Sequence, residues 1–318
     1  VPVQPALHNY FCCPAIIIHS KLCTLYYHML GLLGLLKILL KLLLIPVHIF
    51  IFLTFIMYGV FLIPFYFLNY KWCIKLTTVY SFIIWHLYRA SLYLTAQVLV
   101  RGSIASIKRD ENVLVISNHI GAIDFLMYHE VANMKGMIAH CKYILKRSLG
   151  YVPILGPSLR CLCFCFVDRC ARKDVESIRK YVDYVHRNGI KHWLMLYPEG
   201  TRFTQRKKRE ADEYCGQKGV PPFTHVLCPR TKGFKVFHEH ARHVYKNIVD
   251  ITVDYRNADG ERAVCSLYKF FTVEIDGTFL MDVRVVPMEE VHDCEQFMDE
   301  CFRRKDRILS EWRGTKRE

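Results

Sequence analysis

Residues 47–68 form a run of 22 without a single Lys, Arg, Asp or Glu. At about 1.5 Å of rise per residue, a helix of that length reaches roughly 33 Å, enough to cross the hydrocarbon core of a bilayer. Core helices of soluble proteins are usually shorter, so the run predicts a membrane span, with Pro64 as a tolerated kink near its end. The flanking charge agrees. No acidic residue precedes Asp110, whereas nine Lys and Arg do. Residues 29–45 are apolar apart from Lys37 and Lys41, four apart and hence on one helical face. They read either as a snorkelling interfacial helix or as half of a membrane hairpin. Residues 72–100 carry Tyr80, Trp85, Tyr88 and Tyr93, the amphipathic aromatics of membrane interfaces, and predict an interfacial helix. Residues 1–109 are therefore expected to be a membrane-associated region and 110–318 a folded domain.

The formal net charge is +14. Because the first 109 residues hold nine cations and no anion, the remainder is only mildly basic. No compact basic patch points to nucleic acid; contact with anionic lipid headgroups fits the distribution better. The 14 cysteines lack paired CxxC spacing, so neither a zinc site nor a disulfide framework is expected. Cys161, Cys163 and Cys165 alternate with Leu162 and Phe164 as one face of a buried strand would.

Beyond residue 110 the apolar runs become short and evenly spaced. Residues 113–117, 137–141, 162–167, 193–197 and 225–228 read as strands, as do 248–255, 267–275 and 280–286. Helical periodicity marks 173–187, closed by Asn188-Gly189, and a charged helix is expected over 289–312. The fold class is α/β: N-terminal membrane helices, then a βα domain with a mixed sheet flanked by helices.

Four blocks place polar residues at predicted strand ends, where open α/β sheets bind ligands. The first is Ser117-Asn118-His119-Ile120-Gly121-Ala122-Ile123-Asp124. Five positions along one helix would point His119 and Asp124 apart, at about 500°. The two meet only if His119 ends a strand and Asp124 opens the next helix, with Gly121 easing the corner. A His held by a carboxylate suits a general base; a strand-end His beside a helix-capping Asp is the bland alternative. No Ser, Cys or Lys at this corner reads as a covalent nucleophile. The simplest chemistry is direct attack on a thioester by the hydroxyl of an acceptor.

The second block is Phe166-Val167-Asp168-Arg169. Arg169 either assists phosphate binding or pairs with Asp168 or Asp174. The third is Tyr197-Pro198-Glu199-Gly200-Thr201-Arg202, in which Pro198 stops a strand and Gly200 permits a tight turn. Arg202 offers a planar fork for phosphate, Thr201 and backbone N–H groups complete a cradle, and Glu199 binds a hydroxyl or holds Arg202. An ordinary turn with a solvated ion pair is the plain alternative. The fourth, Leu227-Cys228-Pro229-Arg230-Thr231-Lys232-Gly233-Phe234, repeats strand, Pro, then polar and Gly residues. The basic run at 206–209 reads as a solvated loop or, alternatively, as a headgroup contact.

In this order the blocks resemble the glycerolipid acyltransferase family that forms phosphatidic acid from lysophosphatidic acid. His119 and Asp124 match its HX4D block, Phe166 to Arg169 the second, Glu199-Gly200-Thr201-Arg202 the third and Pro229 the fourth. The resemblance covers about residues 45–290. Val226 to Phe234 and Val249-Asp250-Ile251-Thr252-Val253 are similar to the group that also holds the lysocardiolipin and lysophosphatidylinositol enzymes. Lys146 matches a family Lys before a Pro-containing loop, here Val152-Pro153.

The resemblance implies an O-acyltransferase of the membrane, most naturally the endoplasmic reticulum, using acyl-CoA as cosubstrate and a lysophospholipid as acceptor, with no bound cofactor and no metal. His119 would be the base and Asp124 its partner. Asn118, Lys146, Arg169, Glu199, Gly200, Thr201, Arg202, Pro229 and Lys232 would bind substrate. Lysocardiolipin-type members often carry Asp where this chain has Arg202, and Arg202-Phe203-Thr204 looks more like the lysophosphatidic acid enzymes. Members of the group also tend to extend past residue 318 with further membrane helices. The competing expectations are a non-catalytic lipid-binding membrane protein on the same fold, which would not need His119, and a glycerol-3-phosphate acyltransferase.

Overall fold

A computed structural model describes residues 14–168 and 171–314. It opens with α1 (Pro14–Leu68), whose segment Gly34–Leu68 is long and apolar enough to cross a membrane. Leu35, Leu36, Leu39, Leu42, Phe50 and Phe61 on this helix are all more than half exposed. At Asn69 the helix breaks, and the Asn69 side chain accepts the Trp72 N–H to start α2 (Tyr70–Tyr93).

The helix expected over 72–100 stops at Tyr93. Residues Ala96–Gly102 instead form β1, the first edge of the sheet, and extend the folded domain before residue 110. Val98 and Val100 suit the pleat and pack against the core while Gln97 and Leu99 face outward. Of the aromatics expected at a lipid interface, Tyr88 is buried, and Trp85 and Tyr80 pack on the sheet core.

The sheet has seven strands in the order β1-β7-β6-β2-β5-β3-β4. These are β2 (Val113–Ser117), β3 (Cys141–Lys146), β4 (Cys165–Val167), β5 (Trp193–Leu196), β6 (Asn247–Arg256) and β7 (Gly277–Pro287). Every pairing is parallel except β6 with β7, so the sheet is mixed, as expected. Strand β2 lies at its centre and is buried on both faces. Val113 and Val115 point to one core with Ile84, Tyr88 and Leu92 of α2 and with Leu126 and Met127 of α3 (Asp124–Asn133). Leu114 and Ile116 point to the other, shared with α5 (Ala171–Arg187), α7 (Thr231–His240) and α9 (Cys294–Gly314). The remaining helices are α4 (Leu155–Cys161), α6 (Gln205–Gln217) and α8 (Leu267–Phe271).

Three predicted strands are replaced. Residues 138–140 form a 3-10 turn before β3. Residues 225–228 are irregular, held between Pro221-Pro222 and Pro229, which cannot donate to a ladder. Leu267–Phe271 is helical because the Ser266 hydroxyl accepts the Lys269 N–H at 3.1 Å and caps it. The cysteine alternation also divides: Cys161 ends α4, Cys163 sits at φ 56°, and only Cys165 belongs to a strand. The Asp250 side chain of β6 is fully buried and bonds Lys305 of α9, itself fully buried, with Arg284 3.0 Å away. The C-terminal helix α9 is thereby tied to the strand beside β2.

Candidate active site

Strand β2 ends at Ser117 and α3 starts at Asp124, so the six residues between them make the corner the spacing requires. His119 Nδ1 lies 2.8 Å from Asp124 Oδ2. The same carboxylate accepts the N–H of Ile120 at 2.7 Å and of Gly121 at 3.0 Å. Three donors thus fix its position, and it is 4% exposed against 22% for the His119 side chain. A Cβ on Gly121 would stand 2.8 Å from the Cys265 carbonyl oxygen, which accepts the Ala122 N–H. Glycine is what lets this loop pack so close. With Nδ1–H donated to the carboxylate, Nε2 is the nitrogen left with a lone pair.

The imidazole is also held from the side. The Tyr197 ring, just after β5, stacks on it with centroids 4.1 Å apart and planes 20° from parallel. Burial, with Asp124 and Glu199 nearby, holds the Tyr197 phenol well above its usual range, so it stays neutral.

Glu199 occupies a different place from the one expected. Its carboxyl is buried and accepts the backbone N–H of His119 at 2.6 Å and of Leu227 at 2.9 Å. Among the described residues it has no ion pair with Arg202; it ties the first, third and fourth blocks together and also borders a cavity at Thr201. Two more backbone bonds complete the join, Phe203 N–H to His119 O at 2.8 Å and Arg230 N–H to Pro198 O at 2.8 Å. Gly200 makes the turn possible at φ 68°. Asn118 is likewise buried and structural: its amide exchanges bonds of 2.8 and 2.9 Å with the Val253 backbone on β6.

Burial pushes the Glu199 carboxyl up to about 8, against the pull of its two N–H donors. A folded-state value above the unfolded one means a contribution to stability that is complete below about pH 4.5 and lost as pH rises through about 8. Glu199→Gln turns an amide N–H toward one of the two backbone donors, at a cost of about 1–3 kcal/mol. The gap in melting temperature between wild type and variant should be widest in acid and narrow toward about pH 8. A gap that does not change with pH would mean that Glu199 stays ionised.

Around this centre the other candidates spread along the carboxyl edge of the sheet. Thr201 lines a cavity of about 230 Å³ with Glu199, Lys207, Tyr214, Leu227 and Arg230. Arg202 and Lys232 are exposed, Pro229 is buried and ends the approach to α7, and Lys146 is exposed in register with Val167 of β4. Arg169 lies outside the described residues. Among the described residues, Asp168 bonds Arg147 at 2.8 Å, and Asp174 accepts the Asp168 N–H at 2.7 Å. Arg230, Lys207 and Tyr197 were not singled out from the sequence. Arg230 sits inside the fourth block, where a cation opening a helix was a usable signal; Lys207 lies in the run at 206–209, read as a solvated loop or a headgroup contact, which instead opens helix α6.

The acyltransferase family model matches residues 98–256, which contain most of β1, all of β2 through β6 and all four blocks. Among curated proteins the chain is 29% identical over 210 residues to the 1-acyl-sn-glycerol-3-phosphate acyltransferase delta of Bos taurus, covering 64% of this chain and 54% of that protein. It is 32% identical over 207 residues to the gamma enzyme of Mus musculus, covering 62% and 52%. The chain spans about half the length of the curated relatives it matches. A crystal structure of the 1-acyl-sn-glycerophosphate acyltransferase PlsC of Thermotoga maritima is similar over 89% of this chain and 100% of its own, at 17% identity and a TM-score of 0.49. With the family model covering the sheet strands on both sides of His119 and Asp124, the chain belongs to the glycerolipid acyltransferase family.

Proposed function

We propose that this protein transfers a fatty acyl group from acyl-CoA to the free hydroxyl of a lysophospholipid, lysophosphatidic acid first among them. The observation that carries the reading is the 2.8 Å contact between His119 Nδ1 and Asp124, which leaves Nε2 as the basic nitrogen of a partly exposed ring. The acceptor hydroxyl gives its proton to Nε2 as its oxygen attacks the thioester carbon. The C–S bond then breaks, and the imidazolium returns the proton to the departing CoA sulfur. Asp124 stabilises the imidazolium between the two steps. The names of the curated relatives support a 1-acylglycerol-3-phosphate acceptor. The apolar, exposed surface of α1 supports a site held at a bilayer, where such an acceptor resides.

Arg202 and Thr201, with Arg230 and Lys207 that line the cavity at Thr201, are the groups we assign to the acceptor phosphate, and Lys146, Lys232 and Arg169 are assigned to substrate as the resemblance implies. Arg202→Ala should raise the KM for lysophosphatidic acid about 10- to 100-fold, the size of a lost charge-assisted contact, and leave the KM for acyl-CoA within about twofold. Equal changes in both constants would remove Arg202 from the phosphate site.

The direct test is to supply the purified protein, in lipid, with labelled oleoyl-CoA and a panel of lysophospholipids beside glycerol 3-phosphate. Labelled phosphatidic acid is the expected product. Labelling of glycerol 3-phosphate alone would reassign the acceptor, and no acylation of any member would leave a lipid-binding protein.

A further inference from the structure

A second polar cavity, of about 310 Å³, opens at the opposite edge of the sheet. Its lining includes Lys71 in the first turn of α2, His140 and Lys142 at the start of β3, and Lys191 just before β5. These are the amino ends of parallel strands whose carboxyl ends face the His119 corner. Four or five residues at about 3.3 Å each, roughly 15 Å, separate the two edges.

Lys142 is the unusual member. It is only 4% exposed, yet no described residue accepts a hydrogen bond from its side chain and no carboxylate pairs with it. Buried lysines are rarely left without a partner, because desolvating an ammonium is costly. Burial accordingly lowers the Lys142 amine, and lowers His140 to about 4 with help from Lys142 and Lys191. Among the described residues, the acid seen to pair with this group is Asp110, 3.1 Å from Lys191. Nearby hydroxyls are turned inward: Thr77 bonds Cys73 O, Thr78 bonds Ile74 O and Tyr70 meets Cys163. Three lysines and a histidine therefore line one cavity whose lining includes no carboxylate, and the amino terminus of the 24-residue α2 adds its positive end.

We propose that this cavity binds a phosphate-bearing anion, with Lys142 as its buried anchor and Lys71, Lys191 and His140 around it, at a site separate from the catalytic corner. An anion there supplies the counter-charge that the fold withholds from Lys142 and favours its ammonium form. The cavity adjoins the junction of α1 and α2, so the phosphate comes either from an anionic lipid headgroup or from a soluble phosphate. The lipid source rests on α1 being embedded; the soluble source does not.

The test uses the full chain in phosphatidylcholine nanodiscs, with phosphatidylglycerol in the discs in one arm and inorganic phosphate in the buffer in the other. Phosphatidylglycerol carries no free phosphate monoester and is not an acceptor of the proposed reaction. Well above its dissociation constant, the bound anion should raise Tm by about 3–6 °C. Lys142→Met should lose that shift, while Arg202→Ala keeps it and Lys142→Met retains acyl transfer in neutral discs. A shift with phosphatidylglycerol alone identifies the lipid headgroup as the source, and one with phosphate alone a soluble anion. If Lys142→Met does not fold, Lys71→Gln combined with Lys191→Gln, both exposed, should halve the shift or more. No shift in either arm, or a shift that survives these substitutions, overturns the site.

Discussion

His119→Ala should lower the rate of oleoyl transfer by about 10,000-fold, while far-ultraviolet circular dichroism stays unchanged and Tm moves by only a few degrees. The separation of the two effects follows from where the ring sits. It is partly exposed, its one described hydrogen bond is to Asp124, and its remaining ordered contact is the stack on Tyr197. Asp124 keeps two backbone donors when the ring is removed, so no buried carboxylate is stranded. The bonds that hold the corner to the third block use the His119 backbone, which alanine retains. Transfer within tenfold of wild type in a folded His119→Ala protein would eliminate the general base and restore the lipid-binding alternative.

How much of this was legible in the sequence depended on distance along the chain. His119 and Asp124 are five residues apart, and strand, corner and helix were all readable around them, so their meeting could be anticipated before any coordinates. The partners of Glu199 are 80 and 28 residues away, His119 N–H and Leu227 N–H brought together by three loops. Nothing local distinguishes a carboxylate that binds substrate from one that stitches backbone, and the same blindness applied to Asn118 and its Val253 partner 135 residues away. The strand β1 was misread because residues 94–102 continue the apolar, aromatic-flanked composition of α2; only its pairing with β7, some 180 residues later, makes it a strand. Residues 267–271 went the other way, since their aromatic run suits a strand until the Ser266 cap is formed. Lys142 was invisible for the same reason as Glu199: a lysine opening a strand is ordinary, and only the closure of α2 and α5 over that edge shows it buried without a partner.

Asp124→Asn should lower kcat about 100- to 1,000-fold, with little change in KM for either substrate. The substitution keeps shape and volume, and geometry dictates how the amide settles. His119 Nδ1, Ile120 N–H and Gly121 N–H all contact the same oxygen, Oδ2, at 2.8, 2.7 and 3.0 Å. The Asn oxygen takes that position, because an NH2 group there would face two backbone donors. It goes on accepting Nδ1–H, so the ring keeps its tautomer and Nε2 its lone pair. What the variant lacks is the negative charge that steadies the imidazolium once the acceptor proton has moved. A merely structural role for Asp124 predicts something else: a fall in Tm with proportionate loss of both kcat and folded protein. Nitrogen-15 shifts of the His119 ring should report Nδ1–H in both proteins, which separates a lost charge from a displaced ring. Near-normal kcat in a folded Asp124→Asn protein would mean that Asp124 holds the corner and takes no part in the proton transfer.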